Sequence, residues 1–207
     1  MPEARTERHA AAARTPAREP KWYPANRRQR ARVPATMRAW VLAPGSLTGH
    51  VRARCPAGFH LRVLRQRKAV PRADEARALG LMPGRQALLR EVALCCHAEV
   101  LVVARTVIPL ASLRGRQRRL AALGRRPLGA LLFADRSARR GRYELACLTL
   151  AQAGIADPPS ARRVWGRRAV YHLGGVPLLV SEFFLPGLLD PLARSRRAHS
   201  PSWGSHK

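Results

Sequence analysis

Two long apolar segments with almost nothing between them constrain this chain most. Gln86–Cys96 and Val100–Leu110 each read as a strand rich in Val and Leu, and only His97, Ala98 and Glu99 join them. So short a link holds two strands of this length only as an antiparallel pair. A second hairpin lies near the C-terminal end: Arg168–Leu173, the turn Gly174-Gly175, then Val176–Leu185. Gly58–Arg65 alternates Phe59, Leu61 and Val63 with His60 and Arg62, the period of a half-buried strand.

Helical signals fall between these strands. Met37–Ala43 is a short apolar-faced segment, and Ser46 is a good N-cap for a helix through about Arg54. Ala73–Leu79 reads as a short helix stopped by Gly80. Ser112 is expected to cap a basic helix running toward Leu123-Gly124, and Pro127 to open another through Phe133. Arg142–Ala153 also reads as helix, and Ile155–Ser160 as a loop. Strands on short turns with helices inserted between them predict an α+β fold, one domain on an antiparallel sheet.

That domain is expected over residues 37–190. Residues 1–36 carry nine basic and three acidic residues with five scattered prolines, and no apolar periodicity survives there, so a basic disordered extension is expected. Residues 191–207 read as a similar basic, flexible tail. Neither end holds the apolar core of a secretory signal, and no apolar run approaches the roughly 18 residues of a membrane span. A cytoplasmic protein is expected.

The formal charge of +27 invites a nucleic-acid reading. Of the 39 basic residues, however, only Lys21, Lys68 and Lys207 are lysine, and aromatic residues make up just 5% of the chain. Arginine in a chain rich in Ala, Gly, Pro and Leu is what GC-rich coding produces, so no nucleic-acid partner is expected. Cys55, Cys95, Cys96 and Cys147 form no CxxC pair, and the histidines do not cluster. Neither a metal nor a disulfide is predicted.

The informative residues are charges inside apolar strands. Glu182 sits among Leu178, Val180 and Phe184, Arg90 among Leu88, Val92 and Leu94, and Arg105 between Val103 and Val107. A buried charge costs several kcal/mol unless it is paired. One reading is a buried Arg–Glu pair that serves only the fold, and Glu91, beside Arg90 on the opposite face, is a further candidate partner. The other is a closed pocket in which arginines hold an anionic ligand and Glu182 meets a hydroxyl. Such a pocket suits a small, flat carboxylic acid.

At these strands the sequence resembles the chorismate lyase (chorismate–pyruvate lyase) family. The matching segments, in the family's order, are LLREVALC around Arg90, ARTVIPLASL around Arg105, RRPLGALLF around Leu128, WGRR at Trp165–Arg168 and GGVPLLVSEFFLP around Glu182. Weaker agreement runs back through AWVLAPGSLT. The resemblance implies an enzyme that releases pyruvate from chorismate and leaves 4-hydroxybenzoate, the first dedicated step of ubiquinone synthesis, without metal or cofactor. It also implies helical flaps that bury the ligand in one α+β domain, and a monomer is expected. Carried over by position, Arg90 grips the ring carboxylate and Glu182 bonds the ring hydroxyl. Leu47 and Leu128 close on the ligand, and Arg105 meets the enolpyruvyl carboxylate. Arg90, Arg105 and Glu182 are thus the expected catalytic residues.

This chain has Leu47 where the family often has Met, and Ala104 where Gly commonly precedes the second arginine. Its hairpin after Cys96 lacks the usual Asp-Gly turn. The rival reading is a non-catalytic domain of the same fold that senses a small carboxylate, as in one group of bacterial transcription regulators. Those carry a winged helix upstream, which the Pro-broken residues 1–36 are not expected to form.

Overall fold

Strand pairing organises everything else in the computed structural model, which describes residues 19–156 and 162–189. Its strands are β1 (Tyr23–Pro24), β2 (Phe59–Ala69), β3 (Ala87–Cys96), β4 (Glu99–Pro109), β5 (Arg139–Arg140), β6 (Glu144–Thr149), β7 (Arg163–Leu173) and β8 (Val176–Phe184). They form one antiparallel sheet in the order β1-β6-β7-β8-β4-β3-β2, with β5 also paired to β7. Both predicted hairpins are present. The α+β expectation holds.

The β3–β4 hairpin carries an irregularity that sets the chemistry. At its turn Cys96 pairs with Glu99 and Cys95 with Val100, but Leu94 pairs with Val102, so Leu101 is an extra residue on β4. His97 closes the turn at φ 53°, doing as a non-glycine residue what Gly does in an Asp-Gly turn. Beyond the bulge the register is displaced by one. Arg90 therefore pairs with Thr106, and Glu91 with Arg105.

Among the described residues five helices accompany this sheet: α1 (Arg27–Arg32), α2 (Ala35–Val41), α3 (Leu47–Arg54), α4 (Ala73–Ala78) and α5 (Leu128–Ala134). Ser46 caps α3 as predicted, its hydroxyl accepting from the Gly49 amide at 3.2 Å. On one face, α2 and α3 bury Met37, Val41, Leu47 and Val51 against Val92, Leu94, Val102 and Phe184. Each such side chain contributes about 1.5–3 kcal/mol on burial. A second apolar cluster on that face joins Leu88, Ile108, Leu173 and Leu178 to Leu132 of α5 and to Leu120. Between the two clusters the sheet presents a polar strip.

Four expectations need correction. Residues 19–36 belong to the fold: Val33 is fully buried, Trp22 donates to Asp74 at 3.1 Å, and α1 begins at an Asn26 cap. Their prolines punctuate short elements rather than prevent them. Arg142–Ala153 is not helical but contains β6, since β7 needs a partner along its outer edge and that pairing overrides helix-compatible local sequence. The segment around Ser112 forms two 3-10 stretches, Leu110–Ser112 and Gly115–Ala122, separated at Leu113-Arg114, and the second opens on Gly115 at φ 51°. Finally, Cys55 and Cys96 form a disulfide across a sequence separation of 41. The end of α3 meets the end of β3 where Phe59 pairs with Cys96, a contact that spacing alone does not reveal. Residues 1–18 and the expected tail at 191–207 lie outside the described residues, as does part of the loop at 155–160.

Candidate active site

The polar strip lies beneath a cavity roofed by the N-terminal turns of α3 and α5. Gly45, Ser46, Leu47 and Thr48 form one side of the roof and Pro127, Leu128 and Gly129 the other. The two turns meet closely, since a Cβ on Gly129 would stand 3.6 Å from the Ser46 hydroxyl. The floor comes from the sheet: Arg90 and Val92 of β3, Ala104 and Thr106 of β4, Val180 and Glu182 of β8, and Tyr171 of β7. Leu47, Arg90, Leu128 and Glu182, four of the five residues singled out in the sequence, line this one cavity.

Arg90 is 2% exposed. It donates to Gln66 Oε1 at 3.0 Å and to the Gly124 carbonyl at 2.8 Å, with a longer contact to the Arg126 carbonyl at 3.4 Å. All three acceptors are neutral. Burial lowers its pKa from an already very high value, so it stays a cation that no acid among the described residues pairs with. A buried guanidinium in that state favours the arrival of an anion.

Glu182 is partly buried, its side chain 20% exposed, and is held from behind. Arg167 Nε donates to its Oε2 at 2.5 Å. Burial works against the charge on Arg167, but Glu182 and the nearby Tyr143 more than offset this and raise its pKa. The Tyr171 phenol is pushed well above its usual range, first by burial and then by Tyr143 and Glu182, and so remains a hydroxyl donor. The sequence places the start of this strand at Arg168, five residues after the observed start of β7 at Arg163, so Arg167 falls outside it.

Arg105 does not reach the cavity. It is buried on the opposite face, where Nε and Nη2 meet Glu75 at 2.6 and 3.0 Å and Nη1 pairs with Glu91. Burial opposes its charge, yet the two glutamates raise its pKa overall. The reason is the extra Leu101: without that bulge Arg105 would have faced Arg90 and shared its side of the sheet. An adjacent network joins Arg168 to Asp74 at 2.9 Å and to Glu144 at 2.7 Å. The wall thus carries one guanidinium, not two, and its other side-chain donors are the hydroxyls of Ser46, Thr48, Thr106 and Tyr171.

Among the described residues one group of possible metal ligands lies close together, Cys55, Cys96 and His97, but its two sulfurs are bonded to each other. It lies outside the cavity lining.

An antiparallel sheet that sets the buried guanidinium of Arg90 beneath two helical turns defines an α+β domain with a cavity between sheet and helices. Residues 18–192 match the family model described as chorismate lyase. This chain belongs to the chorismate lyase family. It is 50% identical over 160 residues to a protein of Methylococcus capsulatus named "Probable chorismate pyruvate-lyase", covering 74% of this chain and 97% of that one. Identity is 45% over 170 residues to an Aromatoleum aromaticum protein of the same name, covering 78% and 90%. Among solved structures, the effector domain of PhnF from Mycobacterium smegmatis is similar at 14% identity with a TM-score of 0.46, over 69% of this chain and 90% of that one.

Proposed function

We propose that this protein cleaves chorismate to 4-hydroxybenzoate and pyruvate, the step that supplies the ring of ubiquinone. The observation that carries the reading is Arg90, a buried cation with only neutral partners on the wall of an otherwise largely apolar cavity. A ring carboxylate meets it as a charge-assisted, bidentate pair. Glu182 then accepts from the ring hydroxyl, with Arg167 fixing its orientation. The enolpyruvyl end lies toward neutral hydroxyl donors, since Arg105 is engaged elsewhere.

The chemistry asks little of acid–base groups. The ring C–H beside the departing oxygen breaks and its electrons become a ring double bond. The C–O bond to the enolpyruvyl group then takes its pair to oxygen, and the ring hydrogen ends on the pyruvate methyl. No net proton, electron or water is consumed, and aromatisation drives the step. The protein's contribution is orientation and exclusion of water. Leu47 and Leu128 press on the ring from the roof. The reading carries with it a cytoplasmic, monomeric enzyme.

The test is purified protein with chorismate in EDTA, following both products. Equimolar 4-hydroxybenzoate and pyruvate support the reading. Binding of 4-hydroxybenzoate with no turnover would overturn it in favour of a sensing domain.

A further inference from the structure

Arg167 is the largest fully buried side chain described, at 1% exposure, and it does not line the cavity. Its donors run in two directions. Nε reaches Glu182, directly opposite it in the β7–β8 register. Nη1 reaches the carbonyls of Ala43 at 2.7 Å and Val41 at 3.3 Å. Val41 is the last residue of α2, and Ala43 begins the strap Ala43-Pro44-Gly45-Ser46 that leads into α3. Gly45 takes φ 75°, a sharp change of direction, and the four residues from Gly45 to Thr48 form half of the roof. Tyr143 and Phe184 hold the guanidinium plane, with ring centroids 5.0 and 5.5 Å away.

One rigid planar group therefore ties the cavity's carboxylate to the hinge of the segment that closes over it. We propose that Arg167 is a positioning residue: it sets Glu182 and the roof strap in register, so that the carboxylate is correctly aimed only when the strap is seated. The inference rests on the reading of Glu182 given above. A buried ion pair serving only the fold would need neither the two strap carbonyls nor an acid open to the cavity. Lysine at this position keeps the charge but not the fork, and its single ammonium cannot reproduce both directions of bonding.

The experiment is a double-mutant cycle of Arg167→Lys and Glu182→Gln, with kcat and KM for chorismate measured on each protein and folding checked by thermal melting. Misplacement of a reacting contact by about 1 Å costs up to roughly 100-fold in rate. Arg167→Lys is expected to lower kcat by about 10- to 100-fold with KM changed less than about threefold. In the Glu182→Gln background the same change is expected to cost under about twofold, because the group it aims is gone. Arg167→Gln, which keeps an amide donor without charge, serves where the lysine variant fails to fold and is expected to behave alike. Parental kcat in folded Arg167→Lys overturns the inference, as does a loss that multiplies in full with that of Glu182→Gln. If Glu182→Gln itself has parental kcat, the reading of Glu182 fails and this inference with it.

Discussion

Glu91 and Arg105 stand opposite each other across the β3–β4 ladder and pair beneath the sheet, while Arg90, one residue away, lines the cavity and pairs with no acid among the described residues. The single extra residue Leu101 produces this division. Two arginines that a regular hairpin would place side by side become an ion-paired cation on one face and a cavity-lining cation on the other.

Arg105→Ala should accordingly damage the fold rather than the site. Glu75 and Glu91, 3% and 6% exposed, would be left without their shared counter-ion. Breaking a buried pair in this way costs about 3–5 kcal/mol. Urea denaturation is the check, and a stable variant with weakened ligand binding would place Arg105 back at the site.

The disulfide between Cys55 and Cys96 anchors the far end of the helix whose first turn roofs the cavity. Closing a loop of this length stabilises the fold by about 4 kcal/mol on the chain-entropy model. Cys55→Ser should lower the denaturation midpoint of the oxidised protein to that of the reduced parent. An unchanged midpoint of the parent with and without dithiothreitol would contradict the linkage.

Asp135 ends α5 and ties it down. Its carboxylate accepts from the Ser137 hydroxyl at 2.6 Å and amide at 2.9 Å, and from Arg119 at 2.5 Å. These bonds, Ser137's first, lower its pKa from 3.8 to about 2. A depressed folded-state pKa means that the stabilisation is whole above the unfolded value and disappears as pH falls through the folded one. Asp135→Asn should therefore be less stable than the parent at neutral pH, with the gap closing between about pH 4 and pH 2. A gap that stays constant across that window would refute the assignment.

Much of this fold is legible in the sequence because its signals are local. Short links force the β3–β4 and β7–β8 hairpins, and Ser46 announces α3 through its own hydroxyl. What escapes is whatever depends on a distant partner. Glu144–Thr149 carries no strong strand signal and becomes β6 because β7 is beside it. Cys55 and Cys96 meet only once α3 has folded back over β3. At the site, Arg90 and Glu182 stand out because a charge in an apolar strand is visible in one segment, whereas Leu47 and Leu128 are marked only by the family resemblance. The face Arg105 occupies is not visible in this way, since a one-residue bulge at Leu101 inverts it. Arg167 becomes informative only through Glu182 and the Ala43 carbonyl, neither of which is near it in sequence.

The most direct measurement compares 4-hydroxybenzoate with its neutral amide, 4-hydroxybenzamide, by calorimetric titration of the parent and of Arg90→Met, a change that keeps most of the apolar stem. Charge-assisted hydrogen bonds are worth about 1.5–3 kcal/mol, so the parent is predicted to prefer the acid by roughly 10- to 100-fold. Arg90→Met is predicted to bind acid and amide alike. A folded Arg90→Met protein that keeps the parent's preference for the acid would show that the carboxylate is held elsewhere, and the assignment of the cavity would fall.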